Sequence, residues 1–273
     1  MTLTIYAGNA GDRNERGMRG AVSLGGDLAH RLGIAPETIG SFTNLVEGGW
    51  SEQLKAAEPN LRQLAERTAH QLEQGKQGIL TMGRCAAGIV TLPLIAKRYP
   101  DAAVIWFDAH GDCNVPVAGD TTGPNYLGGM ILTGAAGEWD TGFGGGFDLA
   151  NAILVGARDL DPPEQKRIDS GQIALVRAGP GLGRRLAEAI NGRRVYVHLD
   201  CDVLDAGLIA TEYQSPNGLS YADLREAFET LAEHDVLGLE IAEYEDCWPD
   251  GEPNDSDRLL DAIWPVTGGA SQG

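Results

Sequence analysis

The sequence predicts an α/β fold built on a mostly parallel sheet with helices on both faces, and three observations carry that reading. Short apolar, β-branched runs recur along the chain, and segments with helical periodicity alternate with them. No internal repeat, low-complexity linker or shift in composition interrupts the alternation, so residues 1–273 read as a single domain. Runs that are apolar on both sides are what buried parallel strands need, because right-handed crossovers place helices on each face of the sheet. A closed (β/α)8 barrel produces the same alternation and stands as the competing architecture.

The elements follow in order. Residues 3–7 form the first strand, with helical patterns over 17–32 and 52–72 behind it. A second strand at 79–82 leads into a helix at 86–98. Strands at 104–107, 153–155 and 174–176 come next, with helices at 162–170 and 182–190. Strands at 195–199 and 237–241, with helices at 221–233 and 255–263, complete the set. The glycine-rich stretch at 141–146 is short and lies between two strands, so it reads as a surface loop.

A hydrophobic share of 42% and a charged share of 22% suit a folded globular protein. The 39 acidic against 21 basic residues give a formal charge of -18, which repels a nucleic-acid backbone or an anionic membrane surface. No apolar run approaches the roughly 20 residues that span a bilayer. Residues 1–20 carry charges where a signal peptide needs an unbroken apolar stretch. These features point to a cytoplasmic protein with no nucleic-acid or membrane partner. Cys85, Cys113, Cys201 and Cys247 are scattered through a chain too large to need disulfides, and read as reduced thiols.

Three motifs carry chemistry, each at the end of a strand, and in an open α/β sheet the carboxyl edge is where ligands bind. The first is Asp108-Ala-His110-Gly-Asp112. Alternate residues at a strand end share a side, so Asp108, His110 and Asp112 can converge. Hard oxygen donors with one imidazole suit Mn, Fe, Co or Zn chemistry, whereas structural zinc sites favour thiolates and imidazoles. Read alone, the triplet is also compatible with a polar loop and a helix cap.

The second motif is His198-Leu-Asp200-Cys-Asp202-Val-Leu-Asp205. Two strands that both end in alternating Asp are costly unless a cation sits there, because like charges close together destabilise each other. A metal pair removes the conflict, with Asp108 and Asp200 bridging, Asp112 completing one side, and His110 and Asp202 the other. The third is Glu240-Ile-Ala-Glu243-Tyr-Glu245, a source of a carboxylate for a guanidinium or amidinium.

Taken together, and in this order, the 108–112 run, the 200–205 run and the late Glu243 resemble the ureohydrolase superfamily of arginase, agmatinase and formimidoylglutamase. The run Val155-Gly-Ala-Arg158-Asp159-Leu-Asp161-Pro-Pro-Glu164 also resembles the stretch with which arginases reach the substrate's α-amino group. The likeness extends over about residues 81–244. It implies a three-layer α/β/α sandwich with a mostly parallel sheet of roughly eight strands. It also implies two Mn2+ ions that lower the pKa of a water for attack on a guanidino carbon. By the same resemblance Asp112 takes part in proton transfer and Glu243 anchors the guanidinium. Asn114, Asp161 and Glu164 hold the head group of a guanidino amino acid.

The sequence departs from the family at two places. Arginases open their metal motifs with Gly-Gly-Asp-His, where this chain has Met82-Gly83-Arg84-Cys85. Cys85 thus stands where the first ligand His belongs, and a thiolate there would tilt the site toward Zn2+ or Fe2+. In the run from Pro124 to Met130, Gly128 takes the place of a His assigned to proton shuttling. Both features resemble the hydroxyarginine-cleaving branch of the family found in antibiotic biosynthesis. That branch implies hydrolysis of N-omega-hydroxy-L-arginine to ornithine and hydroxyurea, whose less basic guanidine tolerates loss of the shuttle.

Arginase, agmatinase or formimidoylglutamase activity is the alternative, as is a degenerate homologue that binds a metal or ligand without turnover. His30, His70 and His234 lack partner spacing, and His198 reads as a packing residue or an outer hydrogen-bond partner of the site. At strand spacing Cys113 and Cys201 turn away from the metals. The chain stops soon after its last helical pattern, which favours a monomer or small homo-oligomer.

Overall fold

The computed structural model describes residues 1–117 and 126–268, and the barrel alternative falls at once, because the strands form an open sheet with two free edges. The strands are β1 (Thr2–Tyr6), β2 (Glu37–Ile39), β3 (Gly78–Met82), β4 (Ala103–Phe107), β5 (Ala152–Val155), β6 (Ala174–Val176), β7 (Val195–Asp200) and β8 (Val236–Ala242). They pair in the order β2-β1-β3-β8-β7-β4-β5-β6, all parallel. The helices are α1 (Arg16–Leu32), α2 (Trp50–Glu73), α3 (Gly88–Arg98), α4 (Ile131–Ala136), α5 (Pro162–Asp169), α6 (Leu182–Ile190), α7 (Tyr221–Leu231) and α8 (Asp257–Thr267). None of these helices is long and apolar enough to cross a membrane.

Alternation along the central strands feeds two cores. Ile105 and Phe107 of β4, Val197 and Leu199 of β7, and Leu239 and Ile241 of β8 pack with side chains of α1, α6, α7 and α8. Val104, Trp106 and Tyr196 point the other way, against α2, α3 and α4. Burial on both faces is why these strands read as continuous apolar runs rather than alternating ones. The result is the three-layer α/β/α sandwich.

Two elements were not expected. Strand β2 has three residues with little burial and pairs only with β1 at the sheet's edge, so its sequence carries no apolar signature. Helix α4 is only six residues long and lies in a Gly-rich stretch, too short for helical periodicity to show.

Candidate functional site

The register of the four central strands builds the site. Phe107 pairs with Leu199, and Leu199 with Ile241, so β4, β7 and β8 end at one level, with β3 beside β8. The residues that follow are delivered to a common point: Cys85 after β3, Glu243 after β8, Asp200 and Asp202 at the end of β7, and Asp108 and His110 after β4. All but the fully buried Asp108, which lies behind them, line a cavity of about 310 Å³ together with Asp112, Asn114, Asp159, Asp161, Glu164, Tyr126, Tyr213 and Arg13. That volume suits a small metabolite.

Two triplets of potential metal donors stand at the cavity: Cys85, Asp108 and Asp200, and Asp108, His110 and Asp202. Asp108 belongs to both. Its Oδ1 accepts from the His110 amide at 2.7 Å and its Oδ2 from Trp106 Nε1 at 3.0 Å. His110 Nδ1 lies 3.2 Å from Asp108 Oδ1 and 3.2 Å from Asp202 Oδ2. Asp202 is fixed through Oδ1, which accepts from the Ala109 amide at 3.0 Å. The expected bridging by Asp200 is not repeated in the second triplet. Its Oδ1 accepts from the Asp202 amide at 2.7 Å, while its Oδ2 faces Cys85 Sγ at 3.0 Å. Asp112 lines the cavity but stands in neither triplet among the described residues.

The donor set fits a cation. Burial, with the neighbouring carboxylates second, pushes the carboxyls of Asp112 and Asp200 well above their ordinary range, and that of Asp202 upward. Burial also works against the Asp108 carboxylate, but the hydrogen bonds and charge of His110 outweigh it and hold the group down to about 2. Burial disfavours charging His110 too, yet Asp108 and Asp202 overcome it and raise its affinity for a proton far above the usual. A positive charge between these two carboxylates is therefore what the geometry favours, whether on the imidazole or on an ion it helps to hold.

Backbone conformation marks the same place. Asp112 has φ 47° and Glu243 φ 63°, and both line the cavity. The other non-glycine residues with positive φ among those described are Asn191 and Asn217, a residue type that tolerates this region. Aspartate shares that tolerance, so Glu243 is the residue held in a strained conformation of the kind found at functional sites.

The substitution of Arg84 for the family's Asp has a visible consequence. Arg84 is fully buried and its guanidinium donates to Glu243 Oε2, while the Cys85 amide donates to Glu243 Oε1 at 3.1 Å. Arg84 also contacts Glu212 at 2.8 Å, Glu245 at 3.2 Å and Asp12 at 3.4 Å. Burial raises the Glu243 carboxyl to about 7 against the pull of Arg84. Of the other carboxylates in the third motif, Glu245 binds Arg16 at 2.7 Å and Glu240 turns away beneath the sheet.

Glu240 belongs to a row running across three strands. Trp106, His198 and Glu240 are register partners on β4, β7 and β8, all on the face away from Phe107. Trp106 and His198 stack with centroids 3.5 Å apart. His198 Nδ1 lies 2.7 Å from Glu240 Oε1, and Tyr196 and Thr91 hydroxyls each donate to Oε2 at 2.7 Å. The other ring nitrogen of His198 is 3.1 Å from Cys85 Sγ. His198 is thus the outer partner that orients Cys85, and burial raises that thiol well above its ordinary range.

On the other side of the cavity, Asn114 Nδ2 donates to Asp161 Oδ2 at 2.9 Å, while the Asn114 side-chain oxygen is buried without a partner among the described residues. Glu164 spans two loops, accepting from the Cys113 amide at 3.1 Å and the Asp161 amide at 3.0 Å, and burial raises it to about 7. Cys113 and Cys201 are buried and line no part of the cavity. Sequence reasoning missed Arg13, Tyr126, Tyr213 and Asp159 as lining residues. Arg13, Tyr126 and Tyr213 come from loops outside the three motifs. Pro124 and Asn125 of the shuttle loop lie outside the described residues; Gly128 is described and lines the cavity.

An open parallel sheet with two overlapping triplets of potential metal donors at the carboxyl ends of its central strands places the chain among α/β/α proteins with a candidate metal site. The chain belongs to the Arginase family, whose model matches residues 21–249, and it is a hydrolase of guanidino C–N bonds. It is 32% identical over 261 residues to N(omega)-hydroxy-L-arginine amidinohydrolase of Streptomyces lavendulae, covering 96% of this chain and 92% of that one. The arginase structure from Bacillus caldovelox superposes with a TM-score of 0.77 at 25% identity, covering 100% and 99% of the two chains. The Entamoeba histolytica arginase solved with L-ornithine gives 0.82 at 20%, covering 98% of each.

Proposed function

We propose that this chain, as one catalytic domain, hydrolyses N-omega-hydroxy-L-arginine to ornithine and hydroxyurea with two divalent cations, manganese foremost, in the cavity. The observation that carries the reading is Asp108, a buried carboxylate shared by two donor triplets in an acidic pocket. The choice of substrate is supported by the identity with the Streptomyces lavendulae enzyme over nearly all of both chains.

Cys85, Asp108, Asp112 and Asp200 would hold one ion, and Asp108, His110 and Asp202 the other. When bound, the ions activate water and offset the charge that develops on the reacting carbon's substituents. Zn2+ or Fe2+ at the Cys85 side is compatible with a sulfur donor. Asp112 accepts a proton from the attacking water and passes it to the departing amine. Oxygen joins the guanidino carbon, the bond from that carbon to the ornithine nitrogen breaks, and the amine leaves with the proton.

Glu243 orients the guanidino group through the carboxylate lone pairs left over from Arg84 and Cys85. Because Arg84 already offsets part of its charge, the site gains less from a fully cationic guanidinium, which suits the weakly basic hydroxyguanidine. Asn114, Asp161 and Glu164 hold the α-amino acid head. A panel of arginine, hydroxyarginine, agmatine and formimidoylglutamate on Mn-loaded protein tests the reading. Hydroxyarginine is expected to turn over fastest, and faster turnover of arginine at equal metal loading sinks it.

A further inference from the structure

The proposed reaction leaves one group in the cavity without a task. Tyr126 lines the pocket, and its hydroxyl oxygen is buried with no hydrogen-bond partner among the described residues. A buried hydroxyl that the protein leaves unpaired in a ligand cavity is a group awaiting a polar atom of the ligand.

The ring stands where the family's shuttle side chain would be. A Cβ added to Gly128 would fall 2.5 Å from Tyr126 Cε1 and 3.0 Å from its Cζ. Gly128 does not have positive φ, so its backbone suits any residue, and it is the tyrosine ring that demands glycine there. On another side the Arg13 guanidinium lies 4.4 Å from the ring centroid and donates to Tyr213 Oη at 2.8 Å. The Tyr213 ring is itself 6.0 Å from that of Tyr126. Glycine, arginine and tyrosine therefore hold the phenol in a fixed pose.

The hydroxyl sits in the field of the Glu243–Arg84 pair. Burial first and Glu243 second keep the phenol protonated, with Arg84 opposing them, so it is available as a donor. That is the end of the cavity where Glu243 receives the guanidino group. When ionised, the carboxylates there accept N–H groups of the substrate and have no donor to offer an oxygen.

We propose that the Tyr126 hydroxyl hydrogen-bonds the N-hydroxyl oxygen of the substrate and so selects hydroxyguanidines over guanidines. The inference rests on the proposed function and names the residue that sets its substrate preference. A site that pairs a buried polar group with a substrate hydroxyl discriminates against the analogue lacking it, because the protein group is then left unpaired.

The test uses full-length Mn-loaded protein, Tyr126→Phe and Gly128→Ala, with kcat/KM for hydroxyarginine and arginine and calorimetric binding of N-hydroxyguanidine and guanidine. Tyr126→Phe should lower kcat/KM for hydroxyarginine about 10- to 100-fold, leave that for arginine within about threefold, and remove the preference for N-hydroxyguanidine in binding. Gly128→Ala should displace the ring and reproduce the loss with the phenol still present. Equal falls on both substrates, or an unchanged preference in Tyr126→Phe, overturn the assignment. If the wild type prefers hydroxyarginine and Tyr126→Phe still does, only Tyr126 is wrong; if the wild type turns over neither substrate, the proposed function falls with it.

Discussion

Replacing Arg158 by lysine should loosen the metal site without touching it. The five N–H groups of the Arg158 guanidinium reach six carbonyl oxygens, with two of the three at Nη2 sharing a hydrogen: Gly156, Asp202, Val203, Leu204, Ser215 and Pro216, at 2.8 to 3.2 Å. Its own amide donates to the Ala109 oxygen at 2.8 Å, and the Ala109 amide binds Asp202. Arg158 therefore ties the loop after β4 to the loop after β7. A lysine has three donors on one nitrogen, so at least three of the six carbonyls lose their partner. At about 1 kcal/mol each, because the half-buried site admits some water, the cost is about 3 kcal/mol. In a chain of this size that lowers Tm by roughly 5 °C. Freed from its backbone anchor, Asp202 should also bind its ion about tenfold more weakly, the usual effect of losing outer-shell support. Thermal melts of metal-free protein and chelator-competed Mn2+ titrations measure both. A variant within about 0.5 kcal/mol of wild type, with unaltered metal affinity, refutes the reasoning.

Three further outcomes are expected. Asp161→Ala should raise KM for an amino-acid substrate about 10-fold or more with kcat retained if, as proposed, the hydrogen-bonded Asp161 and Asn114 address the head group rather than the reacting carbon; a fall in kcat alone would assign it elsewhere. Cys85→Ser should weaken Zn2+ about tenfold or more but Mn2+ much less, because the thiolate is the soft donor of its triplet, and equal losses for both ions in chelator competition would place Cys85 outside the first coordination sphere. Metal-free protein should lose stability as pH rises. Burial raises Glu164 from 4.5 to about 7, so the unfolded chain releases that proton first and the native state is penalised by about 3 kcal/mol once pH passes the folded value. Urea unfolding at about pH 5 and about pH 8 tests the sign, and stability that is flat or rising with pH contradicts it.

Much of the fold was legible because a parallel sheet covered on both faces writes each strand as an apolar run. What escaped was the edge, where β2 buries little, and the short helix α4. The order of the strands was also out of reach, since no local pattern says that β8 inserts between β3 and β7. The candidate donors could be picked out because charged residues directly after apolar strands conflict unless a cation joins them, and the structure brings Cys85, Asp108, His110, Asp200 and Asp202 together. Arg84 showed as a departure, but its four carboxylate neighbours come from distant loops. Asp12 and Glu212 belong to none of the motifs. Trp106 lies in an apolar strand run that carries no polar signal, yet its indole nitrogen donates to Asp108, a contact set by its place two residues earlier in the chain. Tyr126 lies in the Pro124 to Met130 run that the sequence singled out, but nothing in that run showed that its ring packs against Gly128.

The central claim is that Asp108 joins two cation sites in one pocket, and the direct measurement is metal content per chain in wild type and Asp108→Asn after equal Mn2+ loading and desalting. Two ions in the wild type and fewer than one in the variant, with hydroxyurea production lost in parallel, is the result this account predicts. A wild type that retains no metal, or an Asp108→Asn protein that keeps both ions and its activity, would contradict it.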